Sequence, residues 1–420
     1  MIKLSVTVVL FLFTIYGVPQ NSTKILKNLI DLGEVSKGNR DFTGYDKLDS
    51  LFDGVEIVML GEQSHGDGTT FDTKIKLIQY LHEKKGFDIL AFEAGFYDCN
   101  KAWLSIVSGG PADVAMGKSI NLLWSNSKQF IPLSNYLDSC VLTSSPLQLM
   151  GFDIQFTGLL WGENYAVDLS NYLRDIDSSY IGSDRYHQLI RDINSATNFT
   201  YKELKKKNIL QDTILINQLL QSVKSSPLYD SFWHQSLISL KYYLIEAGLK
   251  KDYRDERMAD NLIWIKENYP NKKIICWGAT SHFLYNSHEI EMLKFPFSIL
   301  DNYYKKVPSM GTYIKDKYQE KVMTIGFTAY EGEARAIKKI QKLKPVLEGS
   351  LEQIIGMSEY ENCLLPLNNL NVDGLLSRPL AYQYMKTNIQ HVMDAVIFNR
   401  IMTPTWGNQP LIKILYPDSK

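Results

Sequence analysis

Two carboxylates and one imidazole lie within a short stretch of this chain. Glu62 and His65 are in a loop rich in Gly and Asp, and Glu93 ends an apolar run further on. A His held by a carboxylate is the usual arrangement of a general base, because the carboxylate fixes its tautomer and stabilises the imidazolium. Taken alone, a Glu or His in such a loop is more often solvated, or it caps a helix. The three residues together indicate a site for proton transfer.

The elements around these residues follow from the spacing of apolar side chains. Val55–Leu60 is an apolar run of strand length, and Phe87–Phe92 is a second one. Between them Thr69–Lys85 has helical periodicity, with one of its first two threonines as the predicted N-cap and Gly86 as the predicted end. A strand, a helix and a strand of these lengths predict a right-handed βαβ unit with parallel strands.

The polar residues after both strands should lie at the same edge of the sheet. In open α/β sheets, ligands bind beyond the carboxyl ends of the strands. Neighbouring strands are about 5 Å apart. We therefore expect Glu62 and His65 to follow one strand and Glu93 the adjacent strand, so that all three share one site.

Further apolar runs continue the predicted sheet, and polar side chains follow two of them. Leu147–Phe152 is followed by Asp153, and Ile274–Trp277 is followed by a loop that contains His282. Asp153 has an equally good interpretation as a turn residue or helix N-cap. Two more strands are predicted, at Lys321–Phe327 and Ala395–Phe398.

The fold class follows from the order of these elements. From about residue 160 to about residue 255 the periodicity is helical and no convincing strand occurs. We predict a single α/β domain over residues 24–420, with a mostly parallel central sheet flanked by helices. The helical insertion at about 160–255 is expected to lie over the C-terminal edge of the strands.

The residues around the proposed site resemble the signatures of the erythromycin esterase family. The resemblance is carried by Gly61-Glu62-Gln63-Ser64-His65-Gly66, Lys74, Gly86-Phe87, Phe92-Glu93, Gly151-Phe152-Asp153 and the run from Arg254 to Asn261. It implies hydrolysis of a cyclic or hydrophobic ester without a metal or other cofactor. It also implies that His65 is the base that activates water, and that Glu62 and Glu93 are its supporting acids.

Two positions depart from the family pattern. The family has an Arg where this chain has Lys74, and a pair of His residues of which only the second, His282, is present here; the first is Ala279. Lys keeps the charge but not the planar fork of Arg, and Ala279 removes one imidazole. The resemblance implies that Lys74 or His282 steadies the oxyanion, with Asp153 and Arg254 at the substrate pocket. Because of both departures, cleavage of a macrolide lactone is less strongly indicated than ester hydrolysis, and so is a role in antibiotic resistance.

Other classes of function remain open at this point. Glu62, His65, Glu93 and His282 are also a credible ligand set for a divalent metal ion in a metal-assisted hydrolase. A binding pocket without catalysis is a further alternative, since one imidazole is missing. A serine hydrolase is disfavoured, because no Ser lies in a Gly-x-Ser-x-Gly elbow.

Composition restricts the partners. The formal net charge of −1 gives no long-range preference for nucleic acid or for an anionic membrane. Hydrophobic residues make up 45% of the chain and charged residues 22%, as in ordinary globular proteins. We expect a monomer whose partner is a small-molecule ester and which binds no nucleic acid.

Residues 1–20 have the build of a signal peptide. Lys3 precedes an apolar run from Leu4 to Tyr16 that is too short for a comfortable transmembrane helix. Cleavage between Gly17 and Asn21 would give a periplasmic or secreted protein with no stable membrane insertion. An uncleaved N-terminal anchor is the alternative.

The four cysteines show no metal-ligand spacing. In an oxidising compartment Cys99 and Cys140 could form a disulfide, which the sequence does not decide. Cys276 lies inside an apolar run and is expected to be a buried thiol.

Overall fold

Parallel strands form the centre of the molecule. The computed structural model describes residues 22–35, 40–197, 204–293, 304–336, 339–370 and 372–415. The predicted signal peptide lies outside these described residues. The strands are β1 (Ile30–Asp31), β2 (Ile57–Glu62), β3 (Phe87–Gly95), β4 (Gln148–Asp153), β5 (Lys273–Ala279), β6 (Val322–Ala336), β7 (Lys339–Lys342), β8 (Asn362–Pro366), β9 (Ser377–Leu380), β10 (Gln383–Met385) and β11 (Ala395–Met402).

Helices precede, separate and follow these strands. They are α1 (Ser22–Lys27), α2 (Gly68–Lys85), α3 (Phe96–Val107), α4 (Ala112–Ser119), α5 (Leu122–Ser125), α6 (Ile131–Cys140), α7 (Leu159–Asp177), α8 (Asp184–Thr197), α9 (Lys206–Ser225), α10 (Ser231–Leu249), α11 (Arg254–Asn268), α12 (Thr280–Phe283), α13 (Met310–Tyr318), α14 (Leu351–Gly356) and α15 (Gln409–Leu415). None of the described helices is both long and apolar enough to cross a membrane.

The main sheet has the order β1-β8-β11-β6-β2-β5-β3-β4, and β7 pairs with β6. Pairing is parallel from β11 to β4, while β8 and β1 pair antiparallel at one edge and β7 pairs antiparallel with β6. The hairpin of β9 and β10 is a separate two-stranded sheet. The predicted α/β class with a mostly parallel sheet is confirmed.

The order of the central strands differs from the prediction in one important respect. β2 and β3 are not neighbours, because β5 lies between them and pairs with both. The expectation that Glu93 follows the strand adjacent to that of Glu62 is therefore wrong. Local apolar runs show that strands exist, but the order of strands depends on long-range packing that such runs do not encode.

Both faces of the sheet are covered, as expected for parallel strands. Side chains alternate between faces along each strand, so Val58 and Leu60 pack into one apolar layer and Ile57 and Met59 into the other. The first layer contains residues of α2, α3, α4 and α6, and the second contains residues of α11 and α13. Between β4 and β5, helices α7 to α10 share a further apolar cluster that includes Tyr97 of α3.

The predictions for the two ends of α2 had different outcomes. Gly86 ends the helix in the left-handed conformation, with φ of 66° and its N–H donating to the carbonyl of Leu81, so that prediction is confirmed. The predicted threonine N-cap is wrong, because the helix begins at Gly68 after Asp67. The Asp67 carboxylate does not cap the helix but accepts the N–H of Ser64.

All four cysteines are buried free thiols. The structure therefore has no Cys99–Cys140 disulfide, and Cys276 is the buried thiol that its apolar surroundings predicted.

Candidate active site

The ends of the central parallel strands bring the polar residues of the sequence motifs to one edge of the sheet. Glu62 ends β2, Glu93 lies near the end of β3, and Asp153 ends β4. Ala279, at the end of β5, is the register partner of Glu62. These residues form two clusters, one around Glu62 and one around Arg254, on either side of the β5 terminus.

Glu62 is the centre of the first cluster. Its side chain is fully buried, and three nitrogen donors surround its carboxylate. Oε1 lies 2.9 Å from Nδ1 of His65 and accepts the indole N–H of Trp124 at 2.5 Å, while Oε2 accepts from Lys74 at 2.5 Å. A buried carboxylate needs such compensation, because leaving it without partners costs several kcal/mol (on the order of the effective desolvation penalty of one ion).

Lys74 lies beneath Glu62 and has no access to solvent. Its side chain is 0% exposed, its ammonium also donates to the carbonyl of Gly278, and it lies 4.6 Å from the ring centre of Trp277. This placement does not fit the predicted contact of Lys74 with a substrate oxyanion. Lys74 instead balances the charge of the carboxylate that holds His65.

His65 is the member of this cluster that reaches the surface. Its side chain is 34% exposed, and its ring packs edge-on against Trp124 at a centroid distance of 5.1 Å. Burial acts to lower the pKa of His65, but the hydrogen bond and charge of Glu62, with the charge of Glu93, raise it overall above its ordinary value. Because Nδ1 faces Glu62, Nε2 is the ring atom left for water or substrate.

Arg254 is the centre of the second cluster. Nε and Nη2 donate to the two oxygens of Asp153 at 3.1 Å and 2.6 Å, and Nη2 also donates to Oε1 of Glu93 at 2.8 Å. The paired donors match the fork of the guanidinium, which Lys could not reproduce. Arg254 thereby ties α11 to β3 and β4, and 22% of its side chain remains exposed.

Glu93 does not contact His65 directly. Its Oε2 accepts the backbone N–H of Ala279 at 2.8 Å, and its Oε1 lies 3.3 Å from Nε2 of His282 as well as near Arg254. Burial acts to raise the pKa of Glu93, but the charges of His282 and Arg254 hold it well below its usual range. The prediction that Glu93 holds His65 therefore needs correction, since only its charge acts there, through space.

His282 is held between two carboxylates. Nδ1 lies 2.9 Å from Oδ1 of Asp255, and Nε2 faces Glu93. Burial opposes protonation, but the charges of Asp255 and Glu93 raise the pKa of His282 to about 10. The two carboxylates therefore favour the imidazolium form of His282, which cannot act as a base.

Two residues of the site were missed by the sequence analysis. Trp124, on the short helix α5, donates to Glu62 and packs on His65. Asp255 accepts from His282 and from the backbone N–H of Met310. Asp255 is next to Arg254 in the family-like run, which was a usable signal, whereas nothing in the sequence around Trp124 indicates a role in chemistry.

The arrangement combines an accessible base with a fixed positive charge. His65 offers Nε2, and Arg254 and His282 supply positive charge on the other side of the β5 terminus. The metal-site alternative does not fit, because the carboxylate oxygens of Glu62 and Glu93 already face N–H donors. Within the described residues no group of three or more His, Cys, Asp or Glu side chains is arranged to hold a metal ion.

Solved structures share this fold. A Bacillus cereus protein matches with a TM-score of 0.72 and 17% identity, covering 92% of this chain and 99% of that one. A succinoglycan biosynthesis protein matches with a TM-score of 0.71 and 17% identity, covering 91% and 97%. A point mutant of the erythromycin esterase EreC, in its open conformation, matches with a TM-score of 0.66 and 16% identity, covering 88% and 96%.

Sequence comparison matches this chain to a relative and to a family model. A protein of Bacillus subtilis strain 168 named "Putative hydrolase YbfO" is 28% identical over 340 residues, which are 73% of each chain. The sequence model of the erythromycin esterase family matches residues 82–400. That range contains Glu93, Asp153, Arg254 and His282 and begins after Glu62, His65 and Lys74. The resemblance seen in the motifs is confirmed, and the chain belongs to the erythromycin esterase family, a family of hydrolases.

Proposed function

We propose that this protein hydrolyses a carboxylic ester by attack of a water molecule that His65 deprotonates. The observation that carries the proposal is the orientation of His65. A fully buried Glu62 holds Nδ1, while about a third of the His65 side chain is exposed and Nε2 is left for the substrate side. A base whose tautomer is fixed in this way is ready to accept a proton without rearrangement.

In the proposed reaction, Nε2 of His65 takes one proton from water as the water oxygen bonds to the ester carbonyl carbon. The carbonyl oxygen becomes an oxyanion. When the tetrahedral intermediate collapses, the bond to the alcohol oxygen breaks and the imidazolium returns its proton to that oxygen. The products are a carboxylic acid and an alcohol, and His65 ends neutral, so a single residue acts as base and then as acid.

Arg254 is the donor best suited to the oxyanion. Its Nε and Nη2 are occupied by Asp153 and Glu93, while Nη1 lies 3.3 Å from Nε2 of His282. The charges of Asp255 and Glu93 favour the protonated form of His282, in which Nε2 cannot accept, so Nη1 is expected to keep its N–H groups for a substrate oxygen. One such donor is worth about 2.7–4 kcal/mol of barrier at an oxyanion. Glu93, Asp153 and His282 are then positioning residues for Arg254.

The substrate class is part of the same proposal. A cyclic or hydrophobic ester, including a macrolide lactone, is the class that family membership suggests. Ala279 offers no side-chain donor at the position where the family pattern has its first His. We therefore expect simple hydrophobic esters to be cleaved faster than erythromycin.

Hydrolysis of a panel of 4-nitrophenyl esters and of erythromycin tests the proposal. We expect His65→Gln to lower kcat/KM by a factor of about 10² or more, the usual contribution of a general base. The exposed His391, whose partner is Glu289, supplies the control variant His391→Gln, which should keep wild-type activity. Activity before and after treatment with a chelator checks for metal dependence. Equal turnover by wild type and His65→Gln on every ester would leave a binding protein as the better description.

Export is a separate proposal, which rests on Lys3 and the apolar run after it. Fractionation of cells that express the full chain should place the protein in the periplasm or medium, shortened at its N-terminus between residues 17 and 21. A full-length cytosolic protein would contradict it.

A further inference from the structure

A cavity borders the loop that carries His65. Its volume is about 350 Å³, and its walls come from Ser64 in that loop, from the segment around β7, and from the hairpin of β9 and β10. Its lining includes the charged side chains of Lys342, Lys344 and Arg378, and the ring of Tyr382.

The cavity is positively charged. Lys342, Lys344 and Arg378 line it, and its lining contains no Asp or Glu. Both lysines are exposed, and neither has an ion-pair partner in the part of the chain that the structure describes. Without a carboxylate in the walls, the positive field inside the cavity is not neutralised locally.

Arg378 is the buried cation among the residues that line the cavity. It is 1% exposed, and its terminal nitrogens donate to the backbone carbonyls of Lys344, Ala329 and Tyr330. Its Nε has no hydrogen-bond partner among the described residues. A buried polar N–H without a partner costs free energy, and a buried charge without a counter-charge costs more.

Glu352 is the carboxylate that contacts Arg378 through the backbone. Glu352 accepts the backbone N–H of Arg378 through Oε1, while its Oε2 has no partner in the described structure. Burial raises the pKa of Glu352. The hydrogen bonds from the backbone N–H of Arg378 and from Thr328, together with the Arg378 charge, act in the opposite direction with smaller effect. Within the described residues the Glu352 carboxylate meets the backbone N–H of Arg378 but forms no ion pair with its guanidinium.

The turn of the β9–β10 hairpin lines this cavity and lies near the loop that carries His65. Ala381 and Tyr382 both have positive φ, 49° and 56°, which residues other than glycine seldom adopt in a two-residue turn. Tyr382 lies beside Asp67, whose carboxylate accepts the N–H of Ser64. Ser64 thus has the cavity on one side and His65 as its neighbour in sequence on the other.

We propose that this cavity is a binding site for an anionic group, a carboxylate or a phosphate, held by Arg378, Lys342 and Lys344. Arg378 supplies a buried positive charge in the wall, and the two exposed lysines supply further charge. A volume of about 350 Å³ admits a ligand the size of an acidic sugar or a sugar phosphate. The site goes beyond the proposed ester hydrolysis and does not depend on it.

Equilibrium binding tests the site without reference to catalysis. Isothermal titration calorimetry of the full chain would use inorganic phosphate and D-glucuronate as anionic probes and D-glucose as the neutral probe. We expect wild type to bind at least one of the two anions but not glucose. The identity of the bound probe distinguishes a phosphate site from a carboxylate site.

The variant Lys342→Gln/Lys344→Gln should bind the anion at least about tenfold more weakly, because two charges at the mouth are removed. Both lysines are exposed, so the variant should keep the wild-type melting temperature. The matched control Lys47→Gln/Lys84→Gln removes two exposed lysines elsewhere and should bind as wild type does. The site would be refuted if wild type binds neither anion, if glucose binds as tightly as glucuronate, or if the cavity variant keeps wild-type affinity.

Discussion

The carboxylate of Glu62 orients His65 and at the same time sets its basicity. It accepts from Trp124 and Lys74 while facing Nδ1 of His65, so its position is fixed by three elements of the fold. The raised pKa of His65 means that the imidazolium of the proposed reaction would be stabilised. Because its pKa is raised, a smaller fraction of His65 is in the neutral, basic form at low pH.

We expect Glu62→Gln to separate these two effects. The amide keeps an oxygen near Nδ1 but removes the negative charge, so the pKa of His65 should fall. The acidic limb of the profile of kcat/KM against pH should therefore move to lower pH, while the plateau falls by a factor of about 10 to 100. NMR titration of the His65 ring gives an independent reading of its pKa. An acidic limb that stays in place would show that His65 is not the titrating base.

Lys74 provides a prediction about stability. It is fully buried and its removal leaves Glu62 as a buried charge with less compensation, so Lys74→Met should lower the free energy of unfolding by about 3–5 kcal/mol. Urea denaturation monitored by circular dichroism measures this change. The double variant Glu62→Gln/Lys74→Met should lose less than the sum of the two single variants, because the pair is coupled. Additive losses would mean that the pair is not a stabilising unit.

The loop between β2 and α2 positions His65 by backbone contacts. The carbonyl of Gly66 accepts from the N–H groups of Arg335 and Thr405, and a Cβ at Gly66 would lie 1.9 Å from the carbonyl oxygen of Arg335. Any other residue at this position must push the loop away from β6. Gly66 is therefore required by close approach and not by its φ angle.

Gly66→Ala should lower kcat/KM by about tenfold or more while the circular dichroism spectrum is retained, since misplacement by about 1 Å is costly in catalysis. Gly86→Ala is the matched control. At φ of 66° with open space around its Cβ, alanine there should cost about 1–2 kcal/mol of stability and leave kinetics unchanged. Wild-type activity of Gly66→Ala would show that the position of this loop does not control the reaction.

The elements near Glu62 were more predictable from sequence than their arrangement. Glu62, His65 and Glu93 stand out because local apolar runs mark the strands that carry them, and β2 to β6 and β11 fall on the predicted runs. The insertion of β5 between β2 and β3 could not be predicted, because strand order depends on packing across distant segments. Trp124 was missed for the same reason, since its contact with Glu62 joins residues 62 positions apart.

The cluster of Arg254, Glu93, Asp153 and His282 links four elements, so its protonation should affect the stability of the entire fold. The pKa of His282 is raised from 6.5 to about 10, and that of Glu93 is lowered from 4.5. A raised pKa gives stability that is complete below the unfolded value and lost as pH rises through the folded value. A lowered pKa gives stability that is complete above the unfolded value and lost as pH falls. The cluster should thus contribute most between pH 4.5 and pH 6.5.

The comparison of wild type with His282→Gln tests this window. Their difference in unfolding free energy, from urea titrations, should be about 3–5 kcal/mol near pH 6 because Glu93 and Asp255 lose a buried cation. The difference should shrink as pH rises toward the folded pKa of about 10. A difference that does not change with pH would indicate that His282 is neutral in the folded protein.

The position of β5 has a consequence for how this chain is made. β5 pairs with β2 and β3, yet about 180 residues separate it from the end of β3, so the centre of the sheet stays incomplete until most of the chain has been synthesised. A nascent chain or truncated fragment that stops after α11 would leave β2 without either partner strand and one edge of β3 unpaired, and it would lack the Gly278 carbonyl that receives Lys74. Such species are prone to join other chains edge to edge. Premature termination should therefore yield aggregates, not a smaller working hydrolase.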